Sequence, residues 1–417
     1  MRPAGPWRAA AAAAGLLGQD GVVRPTIFAE MSALALATGA VNLGQGFPDD
    51  DGPESVKRVA ADAILGGVNQ YPPGAGIPAL RRAIAAHQAR HYGIDIDVER
   101  EILVTTGATE AIAAALLALV EPGAGVLTLE PFYDAYGALI ALAGGEHVTV
   151  PLVPTADGFR PDLSALAEAA ARPGVRVLLL NTPHNPTGAV LRPAELRAVA
   201  EAALRHDLLV VTDEVYEHLT FDGVAHVPIA TLPGMAERTL TISSVGKTFS
   251  FTGWKVGWVS GPAELVDAVR SVKQFLTYVS GAPFQPAVAH ALDLETLDPS
   301  ADPEAGFVAE LAASLAQRRD LLTGALEQAG MTPLRPEGTY FVIADAAALI
   351  ARLGLADAAA LCRALPELCG VVAVPVSAFT RPGSVTDAAL RHHVRFTFTK
   401  SEATLEEAAL RLPRLRA

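Results

Sequence analysis

The chain has 417 residues, of which 51% are hydrophobic and only 18% charged, below the roughly 25% charged residues usual in soluble domains. That leaves room for two or three packed domains and excludes long disordered tracts. The formal charge of −13 argues against nucleic acid or an anionic membrane surface as the main partner. The basic residues are 27 arginines and five lysines, Lys57, Lys247, Lys255, Lys273 and Lys400, a scarcity that matters if the chemistry needs an amine.

In chain order, residues 1–20 read as a disordered, alanine-rich extension. The run 9–18 behind Arg2 and Arg8 superficially resembles a signal peptide, but it is short and mostly alanine. A start-site artefact is one reading of it and export the lesser one. Residues 21–45 read as an N-terminal arm packing on a small domain. From residue 46 to about 290 short apolar runs alternate with helical stretches. Strands are expected over 102–106, 125–129, 147–152, 175–180, 208–212, 239–243 and 256–260, and helices over 108–120, 132–143, 163–171 and 193–206. The strands lack polar alternation, which marks burial on both faces and a mainly parallel sheet covered by helices. The fold class is therefore α/β. After residue 290 an acidic loop, a long helix over 307–329, strands over 340–344, 371–374 and 394–399 and a closing helix over 404–414 read as a smaller α+β domain over 291–417. No run reaches the ~18 apolar residues of a membrane span. Cys362 and Cys369 fit no zinc or redox spacing and read as ordinary buried thiols in a reducing compartment, so a cytoplasmic location is expected.

Ligands of such sheets bind beyond the carboxyl ends of the strands, where several polar residues fall. Residues 243–248 (SSVGKT) nearly match a phosphate-binding P-loop, but the first glycine is replaced by Thr241 and an aromatic stretch follows. The other reading is a lysine placed for covalent chemistry. Lys247 follows a buried strand, and Lys255 lies eight residues on in GWKVGW; one amine for a Schiff base and one cation for a phosphate make a coherent pair. Asp213 ends the strand before DEVY, where its carboxylate could keep a heteroaromatic nitrogen protonated, with the Tyr216 hydroxyl one turn away. Asn185 sits on a proline-bounded loop, NTPHNPTG, that can aim its amide. Taken singly, such an Asp or Asn is as well read as a turn or cap. Gly107, Ala108 and Thr109 open a helix straight after a strand, an anion site through free amides and the helix dipole. Phe132 follows the next strand and could stack on a planar ring. Strand alternation puts Arg395 on one face with Thr397 and Thr399; its fork suits a carboxylate, with a surface salt bridge as the plain alternative.

Together these residues resemble the fold-type I pyridoxal-phosphate (PLP) aminotransferases of class I/II, over residues 22–415. The motifs are NTPHNPTG (181–188), DEVY (213–216), SVGKTFSFTGWK (244–255) and VRFTFTK (394–400), in that order, with 34 residues from Asp213 to Lys247. LGQGFPD (43–49) and NQYP (69–72) look like the branch containing kynurenine aminotransferases, and the wider context looks like actinobacterial enzymes assigned as N-succinyldiaminopimelate aminotransferases. The resemblance implies ping-pong transamination, with Lys247 as the Schiff-base lysine and proton carrier and Asp213 on the pyridine nitrogen. It puts Tyr216 and Asn185 on the ring oxygen and Phe132 on the ring face. Gly107, Ala108, Thr109, Ser244 and Lys255 would hold the phosphate, joined by Tyr71 of a second copy in a homodimer. Arg395 and the Gly46 backbone would grip the substrate carboxylate. The alternatives on this scaffold are a kynurenine/glutamine-type aminotransferase or a cysteine-S-conjugate β-lyase, which shares the same first step. An aminotransferase-like regulator would need an added DNA-binding domain, for which the acidic chain has no counterpart.

Overall fold

The structure is a computed structural model and describes residues 5–18, 20–300 and 302–416. Strand β1 (Val41–Asn42) lies in the N-terminal segment. An eight-stranded sheet follows, built from β2 (Ile102–Thr105), β3 (Gly125–Glu130), β4 (Glu146–Thr155), β5 (Gly158–Pro161), β6 (Val175–Asn181), β7 (Leu209–Asp213), β8 (Thr239–Ser244) and β9 (Gly257–Ser260), in the spatial order β2-β9-β8-β7-β6-β3-β4-β5. The five central strands β4, β3, β6, β7 and β8 run parallel. β9 is buried throughout yet runs antiparallel to both its neighbours, β8 and β2, because an unbroken apolar run reports burial and says nothing of strand direction.

The C-terminal part builds a second, antiparallel sheet from β10 (Thr332–Leu334), β11 (Phe341–Asp345), β13 (Val374–Pro375) and β14 (His393–Thr397), in the order β10-β11-β14-β13. β12 (Val371–Val372) pairs in parallel with β1, so the N-terminal segment is fastened to this end of the chain. The long helix Phe307–Gln328, the helix Ala358–Cys369 and the helix Ile27–Thr38 share one core with this sheet. Val215, Tyr216, Leu219 and Phe221, from the segment after β7, join the same core. The ends of β6 to β8 therefore face a seam between the two sheets.

Residues 1–4 and 19 of the N-terminal extension lie outside the described residues, and the rest differs from the expectation of disorder. Trp7–Ala13 is helical and lies against the helix Ala135–Leu142, close enough that a Cβ added to Gly137 would stand 3.2 Å from the Ala13 carbonyl. Alanine is the best helix former, and a run of it without bulky side chains can approach a neighbouring helix closely. Both cysteines are free and buried. No helix among the described residues is long and apolar enough to cross a membrane.

Candidate active site

The strand register delivers polar residues to one edge. Asn181, the last residue of β6, is the ladder partner of Asp213, the last of β7, and Ser244 ends β8 opposite Gly257. Beyond these ends lies a cavity of about 320 Å³. Of the residues expected from sequence, Gly46, Gly107, Ala108, Thr109, Asn185, Asp213, Tyr216, Ser244, Lys247, Lys255 and Arg395 line it.

Asp213 is 5% exposed. Its carboxylate accepts from the Tyr136 hydroxyl (2.7 Å) and the Val215 amide (3.4 Å), and burial, only partly opposed by these bonds, raises its pKa to about 6. Asn181 donates to the Asp213 carbonyl (2.8 Å) and accepts from the Asn185 amide (2.8 Å), so the loop after β6 and the end of β7 are locked together. That loop contains the cis peptides Thr182–Pro183 and Asn185–Pro186.

Lys247 stands in the single helical turn Val245–Thr248 directly after β8. Its Nζ donates to the Tyr340 hydroxyl (2.9 Å), which donates onward to the Gly46 carbonyl (2.7 Å). The amine lies 5.7 Å from the centroid of the Tyr216 ring, and burial holds the Tyr216 hydroxyl protonated. A second amine sits at the start of the helix Gly107–Leu119. Gly107 has φ +76°, and a Cβ added there would meet Lys255 Nζ at 3.0 Å. Only a bare backbone lets the ammonium and the helix's free amides share one small volume, which is the donor set of a phosphate cradle. Burial, and Lys247 nearby, push the Lys255 pKa down, a cost that an anion between them would relieve. The other lysines are engaged elsewhere: Lys57 with Asp51 and Glu54, Lys273 with the Tyr278 carbonyl, Lys400 with Asp49.

Arg395, on β14, is 3% exposed. It donates to Asn185 Oδ1 (3.2 Å) and to the Gly44 carbonyl (2.9 Å), and its guanidinium carbon lies 4.0 Å from the Phe341 ring centroid and 4.4 Å from that of Phe379. Its Nε is buried without a partner. Burial lowers its pKa to about 10, so it stays cationic at neutral pH while lacking a carboxylate. Gly46 is fixed by sterics, since a Cβ there would reach 2.5 Å from Phe341.

Two expected residues lie elsewhere. Phe132 is buried in the core with its ring against His147 (4.7 Å between centroids), and its neighbour Tyr133 lines the cavity in its place. Burial pushes the Tyr133 hydroxyl up to about 12. Tyr71 is 79% exposed and packs edge-on against Tyr278 (5.3 Å), away from the cavity of its own chain. Sequence reading missed Tyr136, Tyr340 and Asn181. Tyr136 and Tyr340 sit in apolar runs that read as core, whereas Asn181 opens the NTPHNPTG motif and its strand-end position was the available signal.

The profile of the family described as aminotransferase class I and II matches residues 38–412, and the chain belongs to that family: it is a PLP-dependent aminotransferase of fold type I. It is 56% identical over 391 residues to the probable N-succinyldiaminopimelate aminotransferase DapC of Mycobacterium tuberculosis, covering 93% of this chain and 95% of that protein. The solved structure of the M. tuberculosis N-succinyldiaminopimelate aminotransferase superposes with a TM-score of 0.87, covering 94% of this chain and 97% of that one. The methionine aminotransferase of Escherichia coli is 40% identical over 390 residues, covering 94% of this chain and 96% of that protein. Kynurenine–oxoglutarate transaminase 3 of mouse is 38% identical over 398 residues, covering 92% and 86%.

Proposed function

We propose that the chain transaminates N-succinyldiaminopimelate or a close acyl-diamino acid, with 2-oxoglutarate and glutamate as the other pair. The similarity to the M. tuberculosis relative supports the substrate. The observation that carries the reaction is the convergence of Lys247, Asp213, Lys255 and Arg395 on one cavity. Among the described residues, Lys247, Lys255 and Arg395 are the only Lys or Arg side chains lining it, so a short dicarboxylate has no second arginine from this chain. The walls otherwise include Phe28, Phe47, Phe341 and Phe379, which suit a longer side chain.

When bound, PLP supplies an aldehyde to take up the amino group and a ring that draws off the electrons left as the α-proton departs. Gly107, Ala108, Thr109, Ser244 and Lys255 would hold its phosphate. The Asp213 carboxylate, oriented by Tyr136, would keep the ring nitrogen protonated; Asn185 and Tyr216 would bind the ring oxygen, and Tyr133 would lie against the ring. Lys247, its amine aimed by Tyr340, would take the α-proton from the substrate and hand it back two atoms along, on the cofactor carbon beyond the amino nitrogen. Arg395 takes the substrate α-carboxylate with the Gly46 backbone.

The chain is further read as a cytoplasmic homodimer with a large domain over 46–290, a small domain over 291–417 and an arm over 21–45. Supporting the dimer is an exposed aromatic pair, Tyr71 and Tyr278, beside the exposed Phe275 and Leu276. Apolar side chains grouped on a surface mark an interface; Tyr71 would complete the phosphate site of the other copy. Sedimentation should give a dimer, and Tyr71→Ala should weaken PLP retention without unfolding the chain. A wild-type monomer that binds PLP fully would refute this.

A panel of amino donors against 2-oxoglutarate tests the substrate. N-succinyldiaminopimelate should give the highest kcat/KM; a ten-fold preference for methionine or kynurenine would overturn the substrate and leave the reaction class standing. Arg395→Lys keeps the charge but loses the fork, and should raise KM for every donor by roughly 10- to 100-fold.

A further inference from the structure

Away from the cavity, three imidazoles and a carboxylate converge on one point. His87 and His91 stand four apart on the helix Pro78–Tyr92, so they share one face; their ring centroids are 4.6 Å apart. His218 arrives from the segment after β7, and Glu295 from the C-cap of the helix Phe284–Leu294. His87 Nε2 lies 2.7 Å from His218 Nε2 and 3.8 Å from Glu295 Oε2, and His91 Nε2 lies 3.3 Å from that same oxygen. One ligand atom from each residue lies within 4.8 Å of all the others. A tetrahedral ion with nitrogen and oxygen ligands at about 2.0–2.1 Å separates its ligand atoms by about 3.3–3.4 Å, a value these distances bracket.

The surroundings favour a cation. Glu217 Oε2 lies 4.0 Å from His218 Nε2 and is buried without a hydrogen-bond partner, while its other oxygen accepts from Ser243 (2.5 Å). Glu214, paired with His226 at 2.8 Å, lies on the same segment. The nearby cation is Arg90, 2.9 Å from Glu295 Oε2, placed to orient that carboxylate as an outer-shell partner. His91 is exposed and gives an ion a way in.

We propose that His87, His91, His218 and Glu295 form a divalent transition-metal site of the zinc class, separate from the transamination centre. Imidazole donors favour zinc over calcium or magnesium. Four protein ligands fill a tetrahedron and leave no open position, so the site is structural. Its effect is to tie the segment carrying Asp213 and Tyr216 to two helices on the outside of the sheet, since His218 lies two residues from Tyr216.

The test uses the full chain loaded with PLP, stripped with a chelator, desalted and titrated with zinc chloride alone, with magnesium chloride as a control. Elemental analysis should find one zinc per chain and no retained magnesium, with a rise in melting temperature on zinc addition. Cobalt in place of zinc should give the intense visible bands of a four-coordinate site. His91→Ala, at an exposed position, and Glu295→Gln should each weaken zinc binding by at least ~10-fold. Substoichiometric zinc with no change in melting temperature would overturn the proposal, as would zinc bound with equal strength by both variants. None of these readouts depends on which amino acid the enzyme uses.

Discussion

Lys247→Ala is expected to lower turnover at least ~10⁴-fold, the upper range for a lost general acid–base group, with a covalent link lost besides. The structure explains why no other group can substitute. The Lys247 amine is held by the Tyr340 hydroxyl, itself anchored on the Gly46 carbonyl, so its reach is set by three chain segments at once. Lys255, the other amine in the cavity, is fixed at a left-handed residue (φ +55°) over Gly107, where it is proposed to hold the phosphate. The variant should fold, because the Lys247 side chain is only part-buried and makes one hydrogen bond. It should bind PLP without the visible absorbance of a lysine-linked cofactor. Normal multiple turnover by Lys247→Ala would remove the proposed role altogether.

Asp213→Asn should cost about 10²–10³-fold in kcat, the scale for removing one preorganised electrostatic partner. It carries a pH signature as well. Burial raises the Asp213 carboxyl to about 6 in the cofactor-free fold, against 3.8 for the free group. Between those values the folded chain holds a proton that the unfolded chain has released. Stability therefore falls as pH rises from about 4 to about 6 and this contribution levels off above. Denaturant midpoints of cofactor-free wild type minus those of Asp213→Asn should show this slope. A protonated ring nitrogen opposite the carboxylate lowers its pKa, so the slope should shrink once PLP is bound. Parallel wild-type and variant curves across pH 4–7 would show that Asp213 is not the titrating group.

Much of this site was legible in the sequence because it is built at strand ends. A continuous apolar run that stops at Asp213, Asn181 or Ser244 announces both a buried strand and a polar residue at its carboxyl end, and a parallel sheet brings such ends to one edge. Residues in loops were harder. Phe132 and Tyr133 are adjacent, and between the end of β3 and the next helix no periodicity says which ring faces inward; the structure turns Tyr133 to the cavity. Tyr71 and Tyr278 meet at the surface because a turn, with Tyr278 at φ +68°, brings them together, and no local pattern encodes that meeting. The alanine-rich start was read by its low hydrophobicity, when its helix propensity decided the outcome. His87 and His91, which sequence reading did not single out, stand one helical turn apart, and their partners His218 and Glu295 lie far along the chain, so only folding brings the four together.

The lysines have one more consequence. An aldehyde condenses with any free amine, and most protein surfaces offer many. Here the basic surface is made almost wholly of guanidinium groups, which do not form such adducts readily. Lys273 is buried, Lys400 nearly so, and Lys57 is held between two carboxylates. The chain thus presents few decoys to a reactive carbonyl compound, and chemical fixation of a bound aldehyde would report occupancy of the strand-end cavity with little background from the surface.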